Sequence, residues 1–274
     1  MAGLDVSGST WARPAAPGAR PEEGEGSITG DVVNTASRIQ SVVPGQRGGG
    51  LRADLPRPVR RLRDEGFFVL ESVLSAEDLD VLRGECVRFI DERDREMDRL
   101  GVETLDLDHR GSRYFLHAYG ASPAVRRFLF SELMAEVAQT ALGDTVYLFN
   151  EQYVVKAAER GMKFGWHQDS GFIPYSHRPD LTFWVAHDDV TEANGTVYLL
   201  PYARAGTRKV VQHVRDEETN DLVGYFGDDP GDPVIVTAGS VACFSSTLFH
   251  RSGANTTDRM RRVYLAQYSA EPIL

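Results

Sequence analysis

The second half of the sequence is a series of short apolar runs separated by turn-forming residues. Nine such runs follow residue 145, and most are bounded by Gly, Pro, Asn or Asp. They cover residues 146–150, 152–156, 163–169, 181–188, 196–200, 208–214, 234–237, 240–244 and 262–268. Short strands without helices between them are typical of an all-β sandwich or barrel rather than a parallel α/β sheet.

Two amphipathic helices are predicted ahead of these strands. The first begins after Ser75, which is predicted to be an N-cap because acidic residues follow it at Glu77 and Asp78. The second begins after Ser122 and ends at Gly143. The apolar residues of the first recur at three- and four-residue spacing: Leu79, Leu82, Cys86, Phe89, Ile90 and Met97. Helices that precede about eight antiparallel strands favour a jelly roll with the helices packed outside it. We therefore predict a mainly β fold, a jelly roll with N-terminal flanking helices.

The first 50 residues differ in composition from the rest of the chain. They hold ten of the 26 glycines and four prolines, and Trp11 is their only aromatic residue. Such a segment cannot bury enough apolar surface to offset the entropy lost on ordering. We expect residues 1–50 to be a disordered tail and residues 51–274 to form one domain.

A motif inside this tail resembles part of another enzyme class. Residues 30–40, with Asn34 and Arg38 spaced by four, are similar to the triphosphate-binding motif of class III nucleotide cyclases. The match covers under twenty residues and lacks the metal-binding carboxylates of a cyclase. We interpret it as a remnant of a gene fusion or of a misplaced start codon.

Charge and composition exclude several kinds of partner. The formal net charge of -10 lies mostly after residue 50, whereas phosphate binding requires a basic face. No apolar run approaches the roughly 20 residues of a membrane-spanning helix. Cys86 and Cys243 give no disulfide framework, so both are expected to be buried thiols. We expect a cytoplasmic protein that binds small molecules, and neither nucleic acid nor membrane.

The run over residues 163–169 ends in a pair of metal-binding side chains. Side chains of a strand alternate between its faces, so His167 and Asp169 are predicted to point to one side and Gln168 to the other. An imidazole and a carboxylate held together are two members of the 2-His-1-carboxylate set that binds Fe(II) in non-haem oxygenases. His250 is the candidate for the second histidine.

A second His-x-Asp pair competes with this one. His187 and Asp189 lie at the end of another predicted strand, where it enters a turn. Acidic residues are common in turns, so the pair at His167 is favoured.

From about residue 62 to residue 268 the chain resembles the phytanoyl-CoA dioxygenase family of Fe(II)- and 2-oxoglutarate-dependent oxygenases. The resemblance implies a double-stranded β-helix, which is a form of the jelly roll. The matching pieces are Gly66-Phe67-Phe68-Val69-Leu70, Trp166-His167-Gln168-Asp169, Asn194-Gly195 before Pro201, and His250-Arg251-Ser252-Gly253-Ala254-Asn255 followed by Arg259-Met260-Arg261-Arg262. The chain departs from the family at Ala254, where proline is usual, and at Tyr202-Ala203-Arg204, where many members have Gly-Ser-His. Neither departure affects a predicted metal ligand.

The resemblance implies that His167, Asp169 and His250 bind Fe(II) and that an arginine eleven residues after the second His holds 2-oxoglutarate. That arginine is Arg261. If this segment is a strand, Arg259 lies on the same face as Arg261, and Arg262 lies on the opposite face. A guanidinium can bind a carboxylate through two hydrogen bonds, so lysine would be a poor replacement.

Two further positions align with keto-acid contacts in the family. The first is Gln152, which could instead be a strand residue that faces solvent. The second is Trp184, which could instead be an ordinary aromatic residue of the core.

The function expected from the resemblance is hydroxylation of an unactivated C–H bond of a small molecule. 2-Oxoglutarate and O2 are the co-substrates, and succinate and CO2 are released. The alternatives are a zinc-dependent hydrolase and a catalytically silent binding module on the same fold.

Overall fold

Residues 56–158, 162–217 and 221–273 are described by a computed structural model of the chain. The predicted tail, its boundary at residue 51 and the cyclase-like motif lie outside these residues. Helices occur at α1 (Pro56–Glu65), α2 (Ala76–Leu100), α3 (Pro123–Leu129), α4 (Glu132–Leu142) and α5 (Tyr202–Ala205). None of the helices described is long and apolar enough to cross a membrane.

Short strands make up most of the remainder. They are β1 (Phe67–Leu70), β2 (Thr104–Leu105), β3 (Asp108–His109), β4 (Arg113–Leu116), β5 (Tyr147–Lys156), β6 (Phe164–His167), β7 (Leu181–Ala186), β8 (Val197–Leu200), β9 (Val214–Arg215), β10 (Leu222–Val223), β11 (Asp232–Pro233), β12 (Val241–Ser245), β13 (Phe249–Ser252) and β14 (Arg261–Ser269).

These strands form two main antiparallel sheets. The larger has the order β1-β12-β7-β14-β5-β4-β3-β2 and the smaller has the order β11-β8-β13-β6, while β9 and β10 form a separate ribbon. Strands that are distant in sequence lie side by side, as in a jelly roll. The predicted mainly β jelly roll with N-terminal helices is confirmed.

The larger sheet is buried on both faces because its side chains alternate between two apolar cores. Val263 of β14 belongs to the core between the sheets, together with Val154 and Leu199. The next residue, Tyr264, belongs to the core that the helices cover, together with Leu129 of α3. The face that includes Val263 therefore forms the inside of the barrel.

Several predicted elements differ in the structure. The two strands predicted over residues 146–150 and 152–156 are one strand, β5. Its pairing with β14 shifts register between Gln267 and Tyr268. The helix predicted from Ser122 to Gly143 is two helices, because the Ser131 hydroxyl accepts a hydrogen bond from the Met134 amide and caps α4. The sequence analysis also missed α1, β4 and β13.

The strand predicted over residues 208–214 is reduced to the ribbon strand β9. Backbone groups in this segment are hydrogen-bonded by a side chain instead of a neighbouring strand. Gln168 donates to the Lys209 carbonyl at 3.0 Å and accepts from the Val211 amide at 2.9 Å. Apolar character in this segment indicated a strand, but the local hydrogen bonds decide otherwise.

Candidate metal centre

Two adjacent strands of the smaller sheet bring the histidines together. His167 is the last residue of β6, and His250 lies opposite it on β13 as its register partner. The sequence analysis predicted that Asp169 lies in the same strand as His167. In the structure, Asp169 instead begins a 3-10 turn over Asp169–Phe172. Its carboxylate still faces both imidazoles, at 4.0 Å from His167 Nε2 and 3.4 Å from His250 Nε2.

The imidazoles present their Nε2 atoms to this space because their Nδ1 atoms are held by the backbone. His167 Nδ1 donates to the Gly165 carbonyl at 2.8 Å, and His250 Nδ1 donates to the Leu248 carbonyl at 3.1 Å. Each carbonyl belongs to the residue two positions earlier in the chain. These hydrogen bonds fix the tautomer that a metal ion requires at Nε2.

The Asp169 carboxylate is held in the same way. Its Oδ2 atom accepts hydrogen bonds from Thr182 Oγ1 at 2.7 Å and from Gln267 Nε2 at 3.0 Å. Oδ1 is therefore the oxygen that faces the histidines. The sequence analysis missed both donors. Period two along β14 gave a signal for Gln267, which shares the face of Arg261.

The three ligand atoms lie within 4.8 Å of one another. Two ligand atoms about 2.1 Å from one metal ion and at a right angle are about 3 Å apart, so a small adjustment closes this set around an ion. Three protein donors do not fill the coordination sphere of an ion that binds six ligands. These residues fit a non-haem iron ion with free coordination positions.

Electrostatics in the cluster favour a charged carboxylate and a neutral His167. Burial lowers the pKa of His167 to about 4, and the nearby His250 adds to this effect. Burial alone would raise the pKa of Asp169, but His250, His167 and the Thr182 hydrogen bond hold it below its usual range. Burial opposes protonation of His250 as well, yet Asp169 raises its pKa above the ordinary value.

Gln168, which lies between the two ligands His167 and Asp169, is held by His213 on the side away from the cluster. Gln168 points away from the cluster, and its backbone amide donates to Nε2 of His213 at 2.9 Å. A Cβ added at Gly171 would lie 2.3 Å from Cε1 of that imidazole, so glycine allows the close approach. His177, which follows the 3-10 turn, is bonded to the Ser170 hydroxyl at 3.0 Å and does not enter the cluster.

Arg261 lies inside the barrel, six residues before Gln267 on β14. It is 1% exposed, and its Nη2 donates to the Gly195 carbonyl at 3.0 Å. Arg259 is exposed, while Arg262 pairs with Asp188 on the opposite face of the sheet. Arg261 and Arg262 therefore point to opposite faces as predicted, but Arg259 precedes β14 and does not share the buried face of Arg261.

Both predicted keto-acid contacts face the barrel interior. Gln152 is half-buried and lies opposite Leu265, on the same face as Arg261. Trp184 is buried, and the Arg261 guanidinium carbon lies 5.7 Å from its ring centroid. Gln152 therefore does not face solvent, whereas the burial of Trp184 also fits its alternative, an ordinary core aromatic. The keto-acid contacts of both residues stay predictions.

The rival pair does not form a site. His187 is buried on the helix side of the sheet, where it stacks on Tyr264 with ring centroids 6.3 Å apart. Asp189 accepts a hydrogen bond from the Ala238 amide. Within the described residues, the cluster of His167, Asp169 and His250 is the group of His, Cys, Asp and Glu side chains arranged to hold a metal ion.

The chain is similar to several known proteins over most of its length. It is 27% identical to a probable alpha-ketoglutarate-dependent hypophosphite dioxygenase of Stutzerimonas stutzeri, and the match covers 77% of each of the two chains. It is 26% identical to the ectoine dioxygenase of Bordetella parapertussis, over 84% of this chain and 79% of the relative. The epimerase SnoN, crystallised with Fe3+, alpha ketoglutarate and nogalamycin RO, superimposes with a TM-score of 0.61 at 22% identity, over 79% of this chain and 84% of that one.

The jelly roll and its His-Asp-His cluster, taken with these relatives, define a non-haem iron dioxygenase that depends on 2-oxoglutarate. The family model for phytanoyl-CoA dioxygenase (PhyH) matches residues 62–263, so the chain belongs to that family. Membership argues against the zinc hydrolase and the silent binding module that the sequence analysis kept as alternatives.

Proposed function

We propose that His167, Asp169 and His250 are the Fe(II) ligands of this enzyme and that Arg261 binds the distal carboxylate of 2-oxoglutarate. The reaction is hydroxylation of a C–H bond in a small-molecule substrate. For each hydroxyl group inserted, one 2-oxoglutarate and one O2 are consumed, and one succinate and one CO2 are released.

The observation that carries the ligand assignment is the convergence of three oriented donor atoms. Both Nε2 atoms and Asp169 Oδ1 face one space, and each side chain is fixed by a hydrogen bond through its other polar atom. A set prepared in this way loses little conformational freedom when it binds a metal ion. Bound iron supplies the oxidative chemistry, for which the protein provides position and surroundings.

The role of Arg261 rests on its burial and its direction. Trp184 lies opposite Leu265 on the neighbouring strand, so a guanidinium beside the Trp184 ring extends from residue 261 towards the metal ligands. Its Nε atom is buried without a hydrogen-bond partner. An unsatisfied buried donor is costly, and a carboxylate bound here would remove that cost.

The barrel interior around these residues is apolar and buried. Val154, Val263 and Trp184 from the larger sheet meet Val197 and Leu199 from the smaller one, and all are buried. In a water-poor cavity hydrogen bonds to a bound carboxylate are stronger than they are in solvent. The residues of this chain thus orient the co-substrate and protect the reaction from water.

The names of the relatives support a small-molecule substrate. They specify hypophosphite, ectoine and, for a Streptomyces griseoviridis enzyme, L-proline. Two acidic residues that precede residue 233 are already paired, because Arg204 forms ion pairs with both Asp229 and Asp232.

Anaerobic reconstitution with Fe(II) tests the proposal. Addition of 2-oxoglutarate should produce the weak visible charge-transfer band of a keto acid chelated to Fe(II), and Arg261→Ala should require more 2-oxoglutarate to reach it. Succinate release can then be used to screen substrates. If the iron-loaded protein gives no band at millimolar 2-oxoglutarate, the proposed function is wrong.

A further inference from the structure

Four neighbouring strands of the larger sheet each place one residue in a single row that faces the barrel interior. Asn150 of β5 is the register partner of Gln267 on β14, which in turn is the partner of Thr182 on β7. Thr182 is paired with Phe244 on β12, a member of the core between the two sheets. Register partners on neighbouring strands point to the same face of a sheet. Phe244 also packs on His250, with ring centroids 4.7 Å apart.

The other three members of this row are joined by hydrogen bonds that end at Asp169. Asn150 Nδ2 donates to Gln267 Oε1 at 2.7 Å, and Gln267 Nε2 donates to Asp169 Oδ2 at 3.0 Å. Thr182 donates to the same carboxylate oxygen at 2.7 Å. One row of the sheet therefore contacts two of the three proposed iron ligands, and it reaches the carboxylate ligand from as far away as β5.

The direction of these hydrogen bonds is determined by the carboxylate. A carboxylate only accepts hydrogen bonds, so Gln267 has to present its NH2 group to Asp169 and its oxygen to Asn150. Asn150 then has to act as the donor. If the Gln267 carboxamide were reversed, its oxygen would face the Asp169 carboxylate and two acceptors would repel each other. Gln267 is buried, so water is a poor substitute for the missing donor.

A register shift lies beside this row. Gln267 is opposite Asn150, but the next residue of β14, Tyr268, is opposite Leu148, so Phe149 has no partner of its own. In a regular strand Leu148 would share the face of Asn150, yet it packs in the core that the helices cover. Bulges beside functional sites commonly redirect side chains in this way. The bulge separates Asn150, which faces the metal site, from apolar residues that pack under the helices.

We propose that Asn150 is a positioning residue that fixes the orientation of the Gln267 carboxamide, and thereby the Asp169 oxygen that stays free for iron. The inference rests on the proposed function and deepens it by adding a residue of β5 to the support of the metal site. With Oδ2 held by two donors, Asp169 offers Oδ1 alone to an ion. This arrangement leaves coordination positions for the keto acid and dioxygen.

Two substitutions at residue 150 separate the direction of the hydrogen bond from the bulk of the side chain. Asn150→Asp keeps the shape but replaces the donor with an acceptor, so that Gln267 is turned away from Asp169. Asn150→Leu removes the donor and adds no acceptor. We expect Fe(II) affinity to fall about 10- to 100-fold in Asn150→Asp and by a smaller factor in Asn150→Leu. The measurement is anaerobic competition with a chelator at pH 8, without 2-oxoglutarate.

The pH dependence of Asn150→Asp gives a readout that a packing defect would not change. A protonated carboxyl group can donate its O–H to Gln267 as the native amide does. The ratio of wild-type to Asn150→Asp affinity should therefore decrease as the pH falls from 8 to 5.5. The corresponding ratio for Asn150→Leu should stay constant, because that variant introduces no group that titrates.

A control variant makes the same chemical change elsewhere. Gln212→Glu converts an exposed carboxamide into a carboxylate, and it should leave iron affinity and its pH dependence as they are in the wild type. Thermal melting of the metal-free proteins shows whether each variant folds, and we expect a cooperative transition for all of them.

Three results would overturn the inference. Equal iron affinity in the wild type and Asn150→Asp at pH 8 removes the role of Asn150 and leaves the proposed ligands intact. A loss that is as large in Asn150→Leu as in Asn150→Asp, and that does not change with pH, shows a packing defect instead. A wild-type protein that binds no Fe(II) overturns the proposed function together with this inference.

Discussion

Thr182 donates a 2.7 Å hydrogen bond to Oδ2 of Asp169, although the two residues lie in different elements of the fold. Gln267 donates to the same oxygen and also to the Thr182 hydroxyl. Three residues from the 3-10 turn, β7 and β14 therefore determine which carboxylate oxygen is left for a metal ion.

Thr182→Val and Gln267→Leu should each lower iron affinity about 10- to 100-fold, because residues that orient a metal ligand typically contribute this much. The measurement is titration of metal-free protein with Fe(II) against a competing chelator. Gln139→Leu removes a surface amide on α4 and serves as the control. Unchanged iron affinity in both site variants would show that Asp169 needs no such support.

His250→Ala should remove iron binding and succinate formation together, because it deletes one of three donor atoms. Iron content after desalting and succinate release under standard turnover conditions are the two measurements. His109→Ala changes an exposed histidine whose Nδ1 contacts the Arg110 carbonyl, and it should retain both properties. Full activity in His250→Ala would refute the ligand assignment.

Arg261→Ala should raise the 2-oxoglutarate concentration needed for half-maximal succinate release, by about 100-fold. A charge-assisted double hydrogen bond to a carboxylate supports an effect of this size. Arg261→Lys should recover only part of the loss, since an ammonium cannot donate in the same planar geometry. The exposed Arg259→Ala is the matched control. A variant with unchanged dependence on 2-oxoglutarate would remove Arg261 from the co-substrate site.

Asp180→Asn should stabilise the protein at alkaline pH. Burial raises the pKa of Asp180 to about 7, and this effect outweighs the lowering by the Ser246 hydroxyl. His177 Nε2 lies 3.8 Å from Oδ1 of this carboxyl group. The folded state therefore binds this proton more tightly than the unfolded state. Stability is lost as the pH rises from about 4 through 7, by up to about 4 kcal/mol.

Thermal melts of the metal-free wild type and Asp180→Asn between pH 4.5 and 8 measure this effect. The variant should melt at the higher temperature at pH 8, and the difference should shrink towards zero at the acid end. Asp91→Asn, on the exposed face of α2, should show no such trend. A parallel pH dependence in wild type and Asp180→Asn would exclude a raised pKa at this position.

The sequence by itself determined the fold class and the members of the candidate site. Turn residues and apolar runs predicted a mainly β jelly roll, and Ser75 and Ser122 marked the starts of two helices because their hydroxyls cap free amides. His167, Asp169 and His250 were predicted as one cluster, and the structure brings them together. That they bind iron stays a prediction.

The tertiary structure alone decided how these residues are supported and what surrounds them. Thr182 and Gln267 reach Asp169 from two other strands, and strand register depends on bulges and long-range pairing that local sequence does not encode. The tertiary structure also decided the conformation of residues 208–213. Their sequence pattern is typical of a strand, but Gln168 forms hydrogen bonds with their backbone in place of a neighbouring strand. Local patterns fix which side chains face inward, but only the paired sheets place Asn150 beside Gln267.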